Sequence, residues 1–212
     1  MSRWLVAIPV AAILSGLLPG APQKGGPARF DYYLLSLSWS PEHCATTTDS
    51  STQCTGPKHF GFVVHGLWPN ASSGPNPMNC DGPAYNPKLT PKDLMEIMPS
   101  QSLMRHEWST HGTCSGLGQA EYFQLIEKAW SLVVIPPDVK NPDHQVSISP
   151  LDLKKHFAAS NPSLPADGIT IDDNGSYLRE VRVCLTKDLR GTHCSSRGDV
   201  RPNATITLRP AR

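Results

Sequence analysis

The stretch GFVVHGLWPN, residues 61–70, ends a strand-like run on a histidine and then breaks. Phe62-Val63-Val64 has the aromatic and β-branched character of a buried strand, and His59 to His65 reads as one such element. Gly66-Leu67-Trp68-Pro69 reads as a turn. His65 would therefore stand at a strand tip, a common place to present a catalytic group. A lone histidine is more often a hydrogen-bonded structural residue, so the weight falls on a second stretch, RHEWSTHGTC at 105–114.

Ser102 to about Thr113 reads as a helix. With His106 at zero and about 100° per residue, Glu107 lies at about 100°, Thr110 at about 40° and His111 at about 140°. All four share one broad face, while Trp108 and Ser109 point away. That face offers two imidazoles and a carboxylate. A zinc protease would need H-E-x-x-H, with both rings on one edge. Here the histidines are five apart and diverge, with no evident third ligand. A serine hydrolase would need the G-x-S-x-G elbow, which is absent. Two histidines on opposite sides of a substrate suit proton removal from a hydroxyl and proton delivery to a leaving alkoxide. Neighbouring polar groups would stabilise the charge between them. RNA carries such a hydroxyl next to each phosphate. No metal or cofactor is expected.

Composition sets the limits. The 212 residues are 39% hydrophobic, enough for one domain with a core. Residues 1–21 stand apart: Arg3, an uncharged run from Trp4 to Leu18, then Pro19-Gly20-Ala21. The run is about 15 residues, short of the roughly 20 a membrane span needs. It reads as a secretory signal peptide, which implies a secreted or periplasmic protein without membrane attachment. Removing it takes away one basic residue and leaves 18 of each sign. Such a chain is no polycationic nucleic-acid coat; a polyanion must be held locally, helped by histidine protonation at low pH. Residues 22–28 form a flexible start, and 29–212 one domain.

Six cysteines behind a leader imply three disulfides among fifteen possible pairings. Loop length favours Cys44–Cys54 and Cys184–Cys194, which leaves Cys80–Cys114 to tie the loop after the first stretch to the end of the second. In Phe30 to Trp39, alternation puts Tyr33, Leu35, Leu37 and Trp39 on one strand face. Residues 66–89 read as a long loop, and Thr90-Pro91 opens a short helix to about Met98. Gln119 to Val134 is an amphipathic helix with Tyr122, Leu125, Ile126 and Trp130 on its stripe. Ser149-Pro150 opens another, to about Ala159. Ile169–Ile171, Tyr177–Leu185 and Thr205–Leu208 complete the strands. Without a βαβ rhythm, this is an α+β domain with a mainly antiparallel central sheet flanked by helices. His43, His59, His144, His156 and His193 read as surface or structural, and Trp39 and Trp108 as core.

Phe62 to Pro69 and His106 to Cys114 resemble the two active-site segments of the ribonuclease T2 family, whose members are secreted endoribonucleases. Tyr33 to Pro41 resembles its first strand and Val183-Cys184-Leu185 its late strand, so the likeness runs from about residue 30 to 194. The resemblance implies that His65 and His111 form the acid–base pair, that His106 binds phosphate and that Glu107 stabilises the phosphorane. It implies that Trp68 stacks on a base and that Asn70 reads a base edge. The substrate would be single-stranded RNA, cut without metal by a monomer through a 2′,3′-cyclic phosphate with little base preference. This chain departs from the family at Thr110, where a lysine is usual, so the resemblance implies a slower enzyme. The alternative is a degenerate relative that binds RNA or another partner without turnover. Sequons at Asn70, Asn174 and Asn203 would matter in a glycosylating host, with Asn70 expected to stay bare.

Overall fold

The computed structural model describes residues 28–195 and 201–211; the expected leader and nearly all of the 22–28 segment lie outside them. Strands β1 (Tyr32–Trp39), β2 (Phe62–Asn70), β4 (Ile169–Asp173) and β5 (Leu178–Leu185) form an antiparallel sheet in the order β2-β1-β5-β4. A second antiparallel pair joins β3 (Val146–Ile148) to β6 (Ile206–Leu208). The helices are α1 (Ser40–Thr46), α2 (Thr52–Thr55), α3 (Gln101–Thr110), α4 (Gln119–Ser131), α5 (Pro137–Lys140) and α6 (Pro150–Ser160). The chain has the α+β architecture that its pattern of elements implies.

Alternation along β1 separates two environments. Tyr33, Leu35, Leu37 and Trp39 enter the main core with Trp108, Tyr122, Phe123 and Phe157. The opposite face begins apolar, with Tyr32 and Leu34 packed near Trp68, and turns polar at Ser36 and Ser38. Ser36 pairs across to Arg182 and Ser38 to Glu180, so a polar strip crosses the sheet.

The strand around His65 differs from the expectation. It continues to Asn70 rather than stopping at residue 65. Ser36 opposes Gly66 and Leu37 opposes Val64, which leaves His65 unopposed in a β-bulge. Pro69 is compatible with this because it lies near the end of a strand on the sheet's outer edge. That edge is covered where the Val64 N–H donates to the Ile97 carbonyl at 2.7 Å.

Other boundaries moved for local reasons. The helix expected at 90–98 is instead two 3₁₀ turns, Pro87–Leu89 and Lys92–Glu96, in a segment punctuated by Pro87, Pro91 and Pro99. Helix α3 starts earlier, where the Ser100 hydroxyl accepts from the Leu103 N–H at 3.3 Å. It stops at Thr110, and a 3₁₀ turn, Gly112–Cys114, follows. Helices α1, α2 and α5 and strand β3 have no counterpart in the sequence pattern. Helix α4 ends at Ser131, and its buried face carries Phe123 and Ala129 beside Tyr122 and Ile126; Leu125 and Trp130 are half-buried.

The three disulfides are Cys44–Cys54, Cys80–Cys114 and Cys184–Cys194, as loop length favoured. The second ties the loop after β2 to the turn after α3. The Asn79 N–H donates to the Thr110 carbonyl at 2.8 Å and the Trp108 indole to the Pro83 carbonyl at 2.8 Å, so that loop also closes over the helix end. Breaking this bridge by Cys80→Ala with Cys114→Ala frees a loop with a sequence separation of 34. The expected loss is about 3–4 kcal/mol of stability. Chemical denaturation checks this, and an unchanged midpoint would contradict it.

Candidate active site

The bulge lets His65 and Gly66 lie side by side against α3. A side chain at Gly66 would collide with the Glu107 carboxylate and the Trp68 indole nitrogen. Glycine is therefore needed here for close approach. In the space it leaves, Trp68 Nε1 donates to Glu107 Oε2 at 2.8 Å. Glu107 is fully buried, its Oε1 has no hydrogen-bond partner among the described residues, and that oxygen lies 3.7 Å from His65 Nε2.

Trp68 holds both imidazoles. His65 meets its ring edge-on, with centroids 5.2 Å apart, and His111 lies tilted against it at 5.3 Å. His111 is not helical: it ends α3, with its N–H donating to the Glu107 carbonyl at 3.0 Å. The helical-wheel direction expected for it does not apply, yet the chain brings it to the same cluster. His106 is exposed on α3 and lines a depression of about 300 Å³ with Ser38, His43, Gln53, His65 and Leu103. A second depression of about 260 Å³, lined by Ser38, His43, His65, Arg179 and Glu180, adjoins it.

Three residues implied to touch substrate, Trp68, Asn70 and Thr110, are buried or half-buried. Trp68 is half-buried and committed to Glu107 and the histidines, so it is part of the scaffold of the site. Thr110 is 6% exposed at the end of α3 and offers a substrate little surface. Asn70 is buried and donates to the Trp68 carbonyl at 2.9 Å, beside a polar hollow of about 500 Å³ lined by Tyr32, Ser72, Asn76 and Ser195.

Sequence reasoning missed Glu180 and Arg182. Glu180 Oε1 lies 2.5 Å from His65 Nδ1, and Arg182 binds Glu180 Oε2 through Nε at 2.8 Å and Nη2 at 2.7 Å. The pattern Glu-x-Arg in β5 facing Ser-x-Ser in β1 was visible, but only the strand register shows that the two lie opposite each other.

These contacts give the two imidazoles opposite protonation tendencies. Burial alone would lower His65, but the hydrogen bond and charge of Glu180, with the charge of Glu107, raise it above its ordinary 6.5 against opposition from Arg182. His111 is pushed down to about 4 by burial first, then by the positive charges of His106 and His65. Its buried Nδ1 has no partner among the described residues. Burial pushes Glu107 up to about 7, although His65 and Trp68 pull it down. Burial would also raise Glu180, but His65 and Arg182 override it and bring it to about 2. His43, Asp49 and Cys54 are close enough to suggest a metal site, but Cys54 is bonded to Cys44 and offers no thiolate.

The family model for the ribonuclease T2 family matches residues 30–194. A ribonuclease of Aeromonas hydrophila is 45% identical over 180 residues, covering 78% of this chain and 76% of that protein. The chain belongs to the ribonuclease T2 family. It is an endoribonuclease. Ribonuclease DdI of Dictyostelium discoideum is 27% identical, with 88% of this chain and 95% of that protein covered. Among solved structures, RNase NT in complex with 5′-AMP superposes with a TM-score of 0.64 at 25% identity, covering 86% of this chain and 99% of that one. An RNase-related protein from Calystegia sepium shares the fold at 20% identity, with a TM-score of 0.71 and coverage of 86% and 98%.

Gly66→Ala tests the packing at this ribonuclease's site. The added methyl must displace the Glu107 carboxylate or the Trp68 indole, and a displacement on the order of 1 Å costs about a hundredfold in rate. We expect that loss in kcat with the circular dichroism spectrum unchanged; wild-type kcat would contradict it.

Proposed function

We propose that this enzyme cleaves single-stranded RNA by metal-independent transphosphorylation, with His111 as the base and His65 as the acid in the first step. The observation that carries this reading is the packing of two imidazoles on one indole, in surroundings that push His65 up and His111 down. His111 removes the 2′-hydroxyl proton, the 2′-oxygen attacks phosphorus, and the bond to the 5′-oxygen breaks as His65 protonates it. The product is a 2′,3′-cyclic phosphate on the 3′ side of a nucleotide. In hydrolysis the roles reverse: His65 takes a proton from water and His111 returns one to the 2′-oxygen.

His111 is a weak base in the free enzyme. A bound phosphate anion beside it favours its protonated form and makes it stronger when needed. His106, exposed in the cleft, is suited to contact that phosphate. Burial, which pushes Glu107 up to about 7, favours its protonated form, which would donate a hydrogen bond to the phosphorane where a carboxylate would repel it. A neutral but well-placed donor also suits a site whose Thr110 supplies no cation.

The depression lined by His65, His106 and Leu103 offers room for a nucleotide beside the phosphate, and the hollow beside Asn70 is a further candidate. The complex of RNase NT with 5′-AMP supports nucleotide binding in this fold. Ser38, Gln53 and Leu103 would accept several bases, consistent with low base preference. The leader-like start and three disulfides support secretion or export to the periplasm, where oxidised bridges persist. Among the described residues no helix is long and apolar enough to cross a membrane.

The test is oligoribonucleotide cleavage in excess chelator. Wild type should yield early 2′,3′-cyclic ends, and His65→Ala and His111→Ala should each lose at least about a hundredfold in kcat. Activity should rise with pH as His111 loses its proton near 4, hold, then fall as His65 deprotonates above 6.5. Early 5′-phosphate ends, full activity in either variant, or abolition by chelator would overturn the mechanism. A degenerate, non-cleaving relative would show no turnover at any pH.

A further inference from the structure

We propose that Glu180 is a positioning residue of this ribonuclease, holding the Nδ1 proton of His65 so that Nε2 delivers the proton to the leaving oxygen, with Arg182 anchoring the carboxylate. The proposal rests on the acid–base reading above and assigns a part to a residue outside both sequence stretches.

Glu180 has no place in the hydrophobic core, yet it is 6% exposed. A carboxylate in such a setting is costly unless its oxygens are engaged. Both are. Oε1 takes His65 Nδ1 at 2.5 Å and the Ser38 hydroxyl at 3.5 Å; Oε2 takes the Arg182 guanidinium. Arg182 also approaches Asp172 Oδ2 at 3.5 Å and lies over the Trp68 ring, 5.7 Å from its centroid. A polar chain thus runs from Asp172 on β4 through β5 and over β1 to His65 on β2.

The strand register explains the reach. Glu180 opposes Ser38, which opposes Val63, so the carboxylate starts two strands from the bulge and meets His65 above the small side chain of Ser38. The bulge supplies the rest by freeing His65 from a cross-strand partner. With Nδ1 occupied, the remaining ring nitrogen is Nε2, on the side of Glu107. A ring proton held this way fixes tautomer and orientation together.

The charged and titratable groups around His65 are Arg179, Glu180 and Arg182 on β5, His106 and Glu107 on α3, His111 after α3, and, across the cleft, Glu42 and His43 on α1 with Asp49 beyond it. Removing one adjacent negative charge lowers the imidazole pKa by about 1–3 units. Glu180→Gln keeps the shape and an acceptor but not the charge. The falling limb of its kcat profile should move to lower pH by that amount, while the rising limb stays near its wild-type position and KM changes less than kcat. Arg182→Gln removes the opposing positive charge and should move the falling limb the other way. Glu180→Asp, whose shorter arm withdraws the carboxylate, should recover the limb position only in part.

The experiment is the kcat–pH profile of these variants beside His65→Ala, with thermal melts to verify folding. A Glu180→Gln profile superimposable on wild type, or a loss uniform across pH, would overturn the positioning role and leave the acid–base reading intact. Activity retained in His65→Ala would instead overturn the reading beneath it. Should Glu180→Gln fail to fold, the proton spectrum of the wild type decides. A strongly low-field His65 Nδ1 proton supports the bond to Glu180, and its absence at low temperature would refute it.

Discussion

The carboxylate of Glu107 occupies the space that a side chain at Gly66 would need. Much of the site follows from that close approach. It lets a fully buried acid reach the indole of Trp68 across a strand backbone, and it requires β2 to run close under α3. The bulge at His65 is the complementary feature, because an unopposed residue can turn its ring away from the regular pleat. Trp68 then packs against both His65 and His111. The disulfide Cys80–Cys114 and the bond from Asn79 to Thr110 hold the end of α3 where His111 leaves the helix.

The second constraint is electrostatic. Two like imidazoles at similar depth would titrate alike, and neither would be poised as acid or base. Here burial and positive neighbours favour neutral His111, while the hydrogen bond and charge of Glu180 favour charged His65. Glu107 and Glu180 are themselves pushed apart, one toward the protonated form and one toward the ionised form. Four titratable groups within a small volume thereby acquire distinct protonation states at mildly acidic pH. Pushing neighbouring pKa values apart in this way is a general route to acid–base chemistry on a fixed scaffold.

Much of this was legible in the residues. His65 could be singled out within one short stretch and His106, Glu107 and His111 within another, and the alternation of β1 correctly placed Tyr33, Leu35, Leu37 and Trp39 on one core-facing side. The disulfides followed from spacing alone. What failed depended on pairing across the sheet. A strand end and a bulge look the same in FVVHGLWPN, since only the count of residues on the opposing strand distinguishes them. Glu180 lies 115 positions from His65, and nothing local marks it as buried or as a partner. The burial of Trp68 and Thr110 comes from the packing of α3 against β2, which no local pattern shows. The 3₁₀ turns near Pro87, Pro91 and Pro99 carry a helical composition in a segment too interrupted by proline to sustain an α-helix.

The proposed mechanism requires that the imidazoles of His65 and His111 take opposite protonation states. Titration of the two rings by nuclear magnetic resonance in the free enzyme, with His106→Gln used for assignment, measures this directly. We expect His65 to titrate above 6.5 with its Nδ1 proton retained throughout, and His111 to titrate near 4. Coincident titrations, or His111 titrating above His65, would contradict it.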